Sequence, residues 1–286
     1  MCGIVGILSL RDTPINKIEV ENFRNSLHHR GPDGHGTFIG DDHKIGLGHT
    51  RLSIIDLSDN SSQPMSYDNG RYHITYNGEI YNFLDLKKEL EQRGYKFKST
   101  GDTEVILASY KYWGEKCNLK FNGMWSFAIW DSKKKEVFVS RDRFGVKPLY
   151  YMSNEKFFFF ASELKSFMHL EKKNRPNFDN NYLIYLSQSF SNQSYLTSGN
   201  TFLKNVFELP PGHQLKINYN KNIKVEKWWS TLDHLEKPLK KYEDQVDRFK
   251  EIFYDACRIR MISDVETSTS LSGGLDSSSI VHVIDS

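Results

Sequence analysis

The sequence predicts an α+β fold, on two observations. Short aromatic and β-branched runs at 124–131, 136–140, 148–152 and 157–162 follow one another with turn residues between them, as consecutive antiparallel strands do. Strands and helices also appear without the regular βαβ alternation that a parallel sheet requires.

Each element has a local reason. Val5-Gly6-Ile7-Leu8 reads as a buried strand. Residues 15–29 read as a helix that ends before the turn cluster Arg30-Gly31-Pro32-Asp33-Gly34. Residues 45–57 are β-like, carrying Leu47, Leu52, Ile54 and Ile55. Tyr72–Tyr76 alternates as a strand and runs into Asn77-Gly78, a strong turn signal. Helices are predicted over 82–93 and 102–115, ended by Gly94 and Gly114. A helix is also expected over 179–190, and two or three strands within 202–229. Residues 230–241 are polar and suit a linker. Residues 242–262 form an amphipathic helix, with Val246, Phe249, Phe253 and Ala256 on one face. A short strand at 268–271, the loop Ser272-Gly273-Gly274-Leu275-Asp276-Ser277-Ser278 and a helix start close the chain.

Composition narrows the function classes. The 286 residues suggest about two domains at roughly 150 residues each. Aromatic residues make up 14%, too many for a disordered chain. With 38 basic and 36 acidic residues the net charge is +2, which gives no reason to expect nucleic acid or an anionic membrane as partner. No apolar run approaches the ~20 residues of a spanning helix. The amino end lacks a signal-peptide pattern, so a cytoplasmic location is expected. Cys2, Cys117 and Cys257 make no disulfide framework, and no metal-ligand spacing occurs. Cys117 and Cys257 read as packing residues.

Cys2 follows Met1 directly. Cys is small enough for Met1 to be cleaved, which would put a thiol and a free α-amine on one residue. An α-amine with a pKa of about 7.7–8.0 can take the thiol proton, directly or through water. One residue would then supply nucleophile and base. The motifs that follow are Met1-Cys2-Gly3-Ile4-Val5-Gly6, Arg30-Gly31-Pro32-Asp33-Gly34, Gly48-His49-Thr50-Arg51-Leu52-Ser53-Ile54, Tyr76-Asn77-Gly78-Glu79-Ile80-Tyr81-Asn82, Gly101-Asp102-Thr103-Glu104-Val105, Ser140–Tyr151, Phe160–Lys165 and Leu209-Pro210-Pro211-Gly212. In this order they resemble the class II glutamine amidotransferases, and the chain as a whole resembles the glutamine-hydrolysing asparagine synthetases.

The resemblance implies an N-terminal-nucleophile glutaminase domain, a four-layer αββα sandwich, over 1–229. It also implies roles. Arg51 would hold the glutamine α-carboxylate, since a guanidinium fork suits a carboxylate. Leu52 and Ile54 would shape the pocket, largely with backbone atoms. Glu79 and Asp102 would take the substrate ammonium. The Asn77 side chain and the Gly78 N–H would form an oxyanion hole. His49 is expected to support the Arg51 loop. Arg141 and Asp142 are expected to form a structural ion pair, and Lys147 to shape a loop rather than touch substrate.

The second site is Ser272–Ser278 between a strand and a helix. Glycines let backbone N–H groups approach a phosphate, and the serines add hydroxyl donors. It lacks the Gly-Lys-Ser/Thr of a Walker A loop and resembles the PP-loop of ATP pyrophosphatases. By that resemblance Leu271 would contact the adenylate, Ser272, Gly273, Gly274, Leu275 and Ser277 would line the phosphates, and Asp276 would bind Mg²⁺–pyrophosphate or hold the loop. The family usually carries Pro-Val-Gly after an Asp-Val pair; here Asp264-Val265 is followed by Glu266-Thr267-Ser268.

Residues 230–241 are thus expected to link the glutaminase domain to an incomplete α/β synthetase domain at 242–286, too short to bury a core of its own. The length then reads as truncation. The full-length parent would use glutamine, aspartate and ATP with Mg²⁺, with no cofactor bound tightly in the glutaminase domain, and a homodimer is compatible with the resemblance. This chain would at most hydrolyse glutamine. The rival readings are an amidotransferase with a non-aspartate acceptor in polysaccharide or natural-product synthesis, and a non-catalytic interaction fragment.

Overall fold

The computed structural model describes residues 1–182, 199–220 and 222–285. Two six-stranded sheets form its centre. The first takes β1 (Gly3–Ser9), β2 (Gly34–Ile39), β3 (Ile45–Arg51), β8 (Tyr150–Ser153), β9 (Phe157–Ala161) and β10 (Val206–Glu208), in the order β10-β8-β9-β1-β3-β2. The second takes β4 (Met65–Tyr67), β5 (Tyr72–Ile80), β6 (Gly123–Asp131), β7 (Glu136–Arg141), β11 (His213–Asn218) and β12 (Lys224–Lys227), in the order β12-β11-β7-β6-β5-β4. Every pairing between these strands is antiparallel.

Side-chain alternation along the strands sorts the core into three clusters. From β1, Ile4 and Leu8 join Phe158, Phe160, Ala128, Trp130, Val137 and Val139 in the cluster between the sheets. The other face of β1, Val5 and Ile7, packs with Phe157 and Phe159 against Val20, Phe23 and Leu27 on and beside α1 (Lys17–Asn25). The outer face of the second sheet, Ile74, Tyr76, Phe127, Ile129 and Phe138, packs against α2 (Phe83–Gln92) and α3 (Asp102–Trp113). Three buried interfaces require four layers: helix, sheet, sheet, helices. This is the expected αββα sandwich, and period-two strands with apolar residues on both faces are its cause.

Several local expectations need correction. Asn77-Gly78 is not a turn; β5 runs through it to Ile80, because β6 pairs with every residue from Tyr72 to Ile80. The β-like stretch 45–57 is strand only to Arg51. Beyond it Asp56 adopts a left-handed φ of 53°, and the backbone bonds to Arg51 and Cys2 instead of a ladder. Residues 268–271 form no strand, since nothing among the described residues pairs with them. The helix expected over 179–190 falls largely outside the described residues. The strands expected within 202–229 are three among the described residues, and the amphipathic helix is α4 (Tyr242–Arg260), followed by α5 (Leu275–Asp285). Among the described residues no helix is long and apolar enough to cross a membrane.

Candidate active site

Cys2 stands one residue before β1. The register Gly3↔Thr50 carries it to the end of β3, beside Arg51 and Leu52. There the Leu52 N–H donates to Sγ at 3.4 Å, and the thiol donates to the Leu52 carbonyl at 3.6 Å. Burial pushes the thiol pKa up, and the Leu52 contact opposes this only in part. Burial also lowers the nearby terminal ammonium. The end of the chain is pinned by Arg30, whose Nε donates to the Cys2 carbonyl at 2.9 Å while its Nη1 pairs with Glu163 at 2.8 Å.

A cavity of about 280 Å³ opens beside Cys2. Cys2, Arg51, Leu52, Ile54, Asn77, Gly78, Glu79 and Asp102 all line it, so the eight residues predicted for glutamine chemistry converge on one site. The strand β5 supplies three of them. Trp125 lies opposite Gly78 in the ladder, yet its N–H donates to Asp142 Oδ2 at 3.2 Å and its carbonyl accepts from the Asp142 N–H at 2.9 Å. Both groups therefore point away from β5, which makes Gly78–Trp125 a non-hydrogen-bonded pair whose Gly78 N–H also points outward. The residues two before and two after confirm the direction: Tyr76 N–H donates to Gln63 Oε1 at 2.7 Å, and Ile80 N–H donates to Asp102 Oδ2 at 2.9 Å. The Gly78 N–H lies between these two, on the cavity side. No side chain fits here, because a Cβ on Gly78 would sit 2.3 Å from the Met124 carbonyl oxygen.

Asn77 points the other way, toward the first sheet, as Thr75 does through its bond to the Gly48 carbonyl at 3.0 Å. Its amide nitrogen Nδ2 is buried and has no partner among the described residues. Such a donor costs free energy in the resting fold unless a ligand completes it. His49 steadies this strand: its Nε2 bonds the Tyr76 carbonyl at 3.0 Å, and burial lowers its pKa to about 4, which keeps the ring neutral. His49 thus supports β5 rather than the Arg51 loop.

The charged groups divide the cavity. Arg51 spends Nη1 on the Ser58 carbonyl at 3.0 Å and Nη2 on the Asp56 carbonyl, which leaves other guanidinium N–H donors for a carboxylate. Asp102 opens α3, and its Oδ2 also accepts the Tyr76 hydroxyl at 2.7 Å. Burial raises the pKa of both Asp102 and Glu79. Lys147, expected to shape a loop, also lines the same cavity. It is buried, and burial lowers its pKa against the pull of Glu79 and Cys2. Asp142 puts it there by accepting four backbone N–H groups, from Trp125, Phe144, Val146 and Lys147. Arg141 pairs with Glu208 at 2.7 Å instead of Asp142. Sequence reasoning also missed Gln63, Tyr76, Thr103 and Met124 as cavity residues; Tyr76 and Thr103 lie within the quoted motifs, whereas Gln63 and Met124 carry no linear signature of the site.

The second predicted group, Leu271–Ser277, does not line this cavity. Gly273 takes a left-handed φ of 81°, Ser272 Oγ and Ser277 Oγ bond at 2.9 Å, and α5 begins at Leu275. Backbone N–H groups, hydroxyls and a helix start form a donor set that fits phosphate oxygens. Among the described residues no group of His, Cys, Asp or Glu is arranged to hold a metal ion.

A cysteine thiol at the amino end of a central strand, facing a cavity across two stacked sheets, defines the N-terminal-nucleophile class of αββα domains. Comparison with known proteins narrows the class to one family. Residues 1–229 match the glutamine amidotransferase domain, and the chain belongs to that family. Residues 248–286 match the asparagine synthase family. The putative asparagine synthetase (glutamine-hydrolyzing) 2 of Methanocaldococcus jannaschii is 38% identical over 99% of this chain and 57% of its own length. Asparagine synthetase (glutamine-hydrolyzing) 1 of Bacillus subtilis is 37% identical over 99% of this chain and 44% of its own length. Amidase chry2 of Gibberella zeae is 33% identical over 99% and 43%. The chain therefore spans about half the length of the curated relatives it matches. Among solved structures, the glutamine phosphoribosylpyrophosphate amidotransferase of B. subtilis shares the fold, with a TM-score of 0.59 at 22% identity, covering 80% of this chain and 49% of that one.

Proposed function

We propose that Cys2 hydrolyses glutamine, and that the protein is the amide-donor part of a glutamine-dependent asparagine synthetase. The observation that carries this is the buried Asn77 amide without a partner among the described residues, in one cavity with the Cys2 thiol and the outward Gly78 N–H. After removal of Met1, the Cys2 α-amine takes the thiol proton. The sulfur attacks the glutamine side-chain carbonyl, and Asn77 and Gly78 hold the oxyanion. The C–N bond breaks, ammonia leaves with the returned proton, and water cleaves the thioester to glutamate. Arg51 holds the substrate carboxylate, while Glu79 and Asp102 hold its ammonium.

Ammonia would then be joined to a carboxylate activated with ATP, aspartate in this reading, giving asparagine, AMP and pyrophosphate. Ser272, Gly273, Gly274, Leu275 and Ser277 would meet the nucleotide phosphates and Leu271 the adenylate. Asp276 is the acidic side chain of that loop able to meet phosphate-bound Mg²⁺. Domains over 1–229 and 242–286, joined by 230–241, and a cytosolic location belong to the same reading. A second reading, another acceptor carboxylate, is favoured by Glu266-Thr267-Ser268 in place of Pro-Val-Gly. The intact cavity speaks against a non-catalytic fragment.

The test is intact mass together with a glutaminase assay of the purified chain, with Cys2→Ala as control. The expected result is loss of Met1 and glutamate release that Cys2→Ala abolishes. A processed chain that binds glutamine but releases no more glutamate than the variant refutes the proposal.

A further inference from the structure

We infer that Asp264 is a positioning residue for the glutamine site, clamping the loop that orients Arg51; this inference rests on the glutaminase reading above. Asp264 lies far along the chain, eight residues before Ser272, yet it bonds the glutamine loop twice. Its Oδ2 accepts the Asp56 N–H at 2.7 Å, and its own N–H donates to the Ile54 carbonyl at 2.9 Å. Neighbouring residues hold the segment in place. Ile262 packs against the helix-side core, and the Arg260 guanidinium lies 4.7 Å from the centre of the Tyr81 ring.

The clamped peptide carries the site. Leu52 contacts Cys2 Sγ through both backbone groups, and Ile54 lines the cavity. Arg51 bonds the Asp56 carbonyl, so the residue whose N–H Asp264 holds is the one whose carbonyl orients the guanidinium. Asp56 sits at a φ of 53°, a conformation that costs a non-glycine residue free energy and persists only where surroundings impose it. The Asp56 carboxylate accepts from Ser58 and from the Thr100 N–H at 2.7 Å, which fixes one side of that residue. Asp264 fixes the other. Releasing it lets the peptide 54–56 relax, which moves the Arg51 donors away from a substrate carboxylate, while Cys2 stays pinned by Arg30 and by the Gly3–Thr50 pairing and β5 keeps Asn77 and Gly78 in place. The glutamine pocket is thereby coupled to the segment that leads into the phosphate-type loop at Ser272–Ser278.

The experiment is steady-state glutaminase kinetics on the full chain with Asp264→Ala and Asp264→Asn. The alanine variant is expected to raise KM for glutamine roughly tenfold with kcat within about twofold, the effect of an orienting interaction worth one decade in binding. The asparagine variant keeps a carbonyl oxygen for the Asp56 N–H and is expected to stay within about threefold of the parent chain, a small part of that decade. Should the alanine chain fail to fold, Asp264→Ser, whose hydroxyl is too short to reach the Asp56 N–H, gives the same reading. An unchanged KM, a fall in kcat alone, or equal losses in Asp264→Ala and Asp264→Asn overturns the inference. A parent chain without glutaminase activity sinks the glutaminase reading instead, so the two failures are distinct.

Discussion

Asn77→Ala is expected to raise stability while removing activity. The Asn77 amide nitrogen is buried and donates to nothing in the resting fold among the described residues. Native proteins lose about 1–3 kcal/mol when such a group is desolvated without a bond. Replacing it removes that penalty at the expense of a small void, worth about 1 kcal/mol for the few atoms deleted. The net expectation is a fold between unchanged and about 2 kcal/mol more stable. For a domain of this size that is a melting point up to roughly 4–8 °C higher. The same deletion takes one of the two oxyanion donors, which lowers kcat by about 10²–10³. Urea unfolding and glutamate release on one preparation of each protein measure both quantities. A variant destabilised by more than 2 kcal/mol would show that the amide is satisfied in the resting fold, and an unchanged kcat would remove Asn77 from the mechanism.

Glu79→Gln tests the ammonium site: burial first, against the opposing pull of Lys147, holds the Glu79 carboxyl above its usual pKa, so KM for glutamine should rise as the pH falls through that raised value. In the variant KM should be roughly tenfold higher and lose this pH dependence, as read from KM–pH profiles. His49→Gln tests the neutral imidazole. Its folded pKa of about 4 against 6.5 means that below pH 6.5 the unfolded chain binds a proton that the native state refuses. Its stabilising contribution is therefore complete above pH 6.5 and decreases as the pH drops to 4, by about 3 kcal/mol. Denaturant unfolding across that window should show a shallower decline in the glutamine variant, and parallel curves would refute the assignment. Arg51→Lys should raise KM by roughly 10–100-fold, because an ammonium replaces neither the carboxylate fork nor the two loop bonds. A KM within twofold would show that Arg51 serves the loop alone.

Much of the fold was legible because the apolar and aromatic runs of β1, β6, β7 and β9 are a local property, and four layers follow once both faces of each strand are apolar. The helix ends at Gly94 and Gly114 were legible for the same reason. What stayed hidden depended on distant partners. Asn77-Gly78 has the composition of a turn, but a nine-residue partner strand keeps it extended, and the glycine answers to the Met124 carbonyl rather than to a bend. Lys147 enters the cavity because Asp142 gathers four N–H groups around it, an arrangement with no periodicity to read. The strand expected at 268–271 has nothing to pair with among the described residues. Cys2, Arg51, Gly78 and Asp102 were found by motif resemblance, and their convergence on one cavity is the structure's own contribution.

The outward row of N–H groups on β5 has a further consequence. β4 begins only at Met65, behind Pro64, and pairs with β5 no further than Ile74. Beyond that point β5 is a bare sheet edge, the kind of surface that recruits stray strands and seeds aggregation. Here Gln63 and Asp102 act as blunting caps over two of its donors, and among the described residues a single donor is left open between them. A foreign strand needs several consecutive bonds and finds one. A single acceptor atom needs only one, so the capped edge has room for one small acceptor and none for a polypeptide strand.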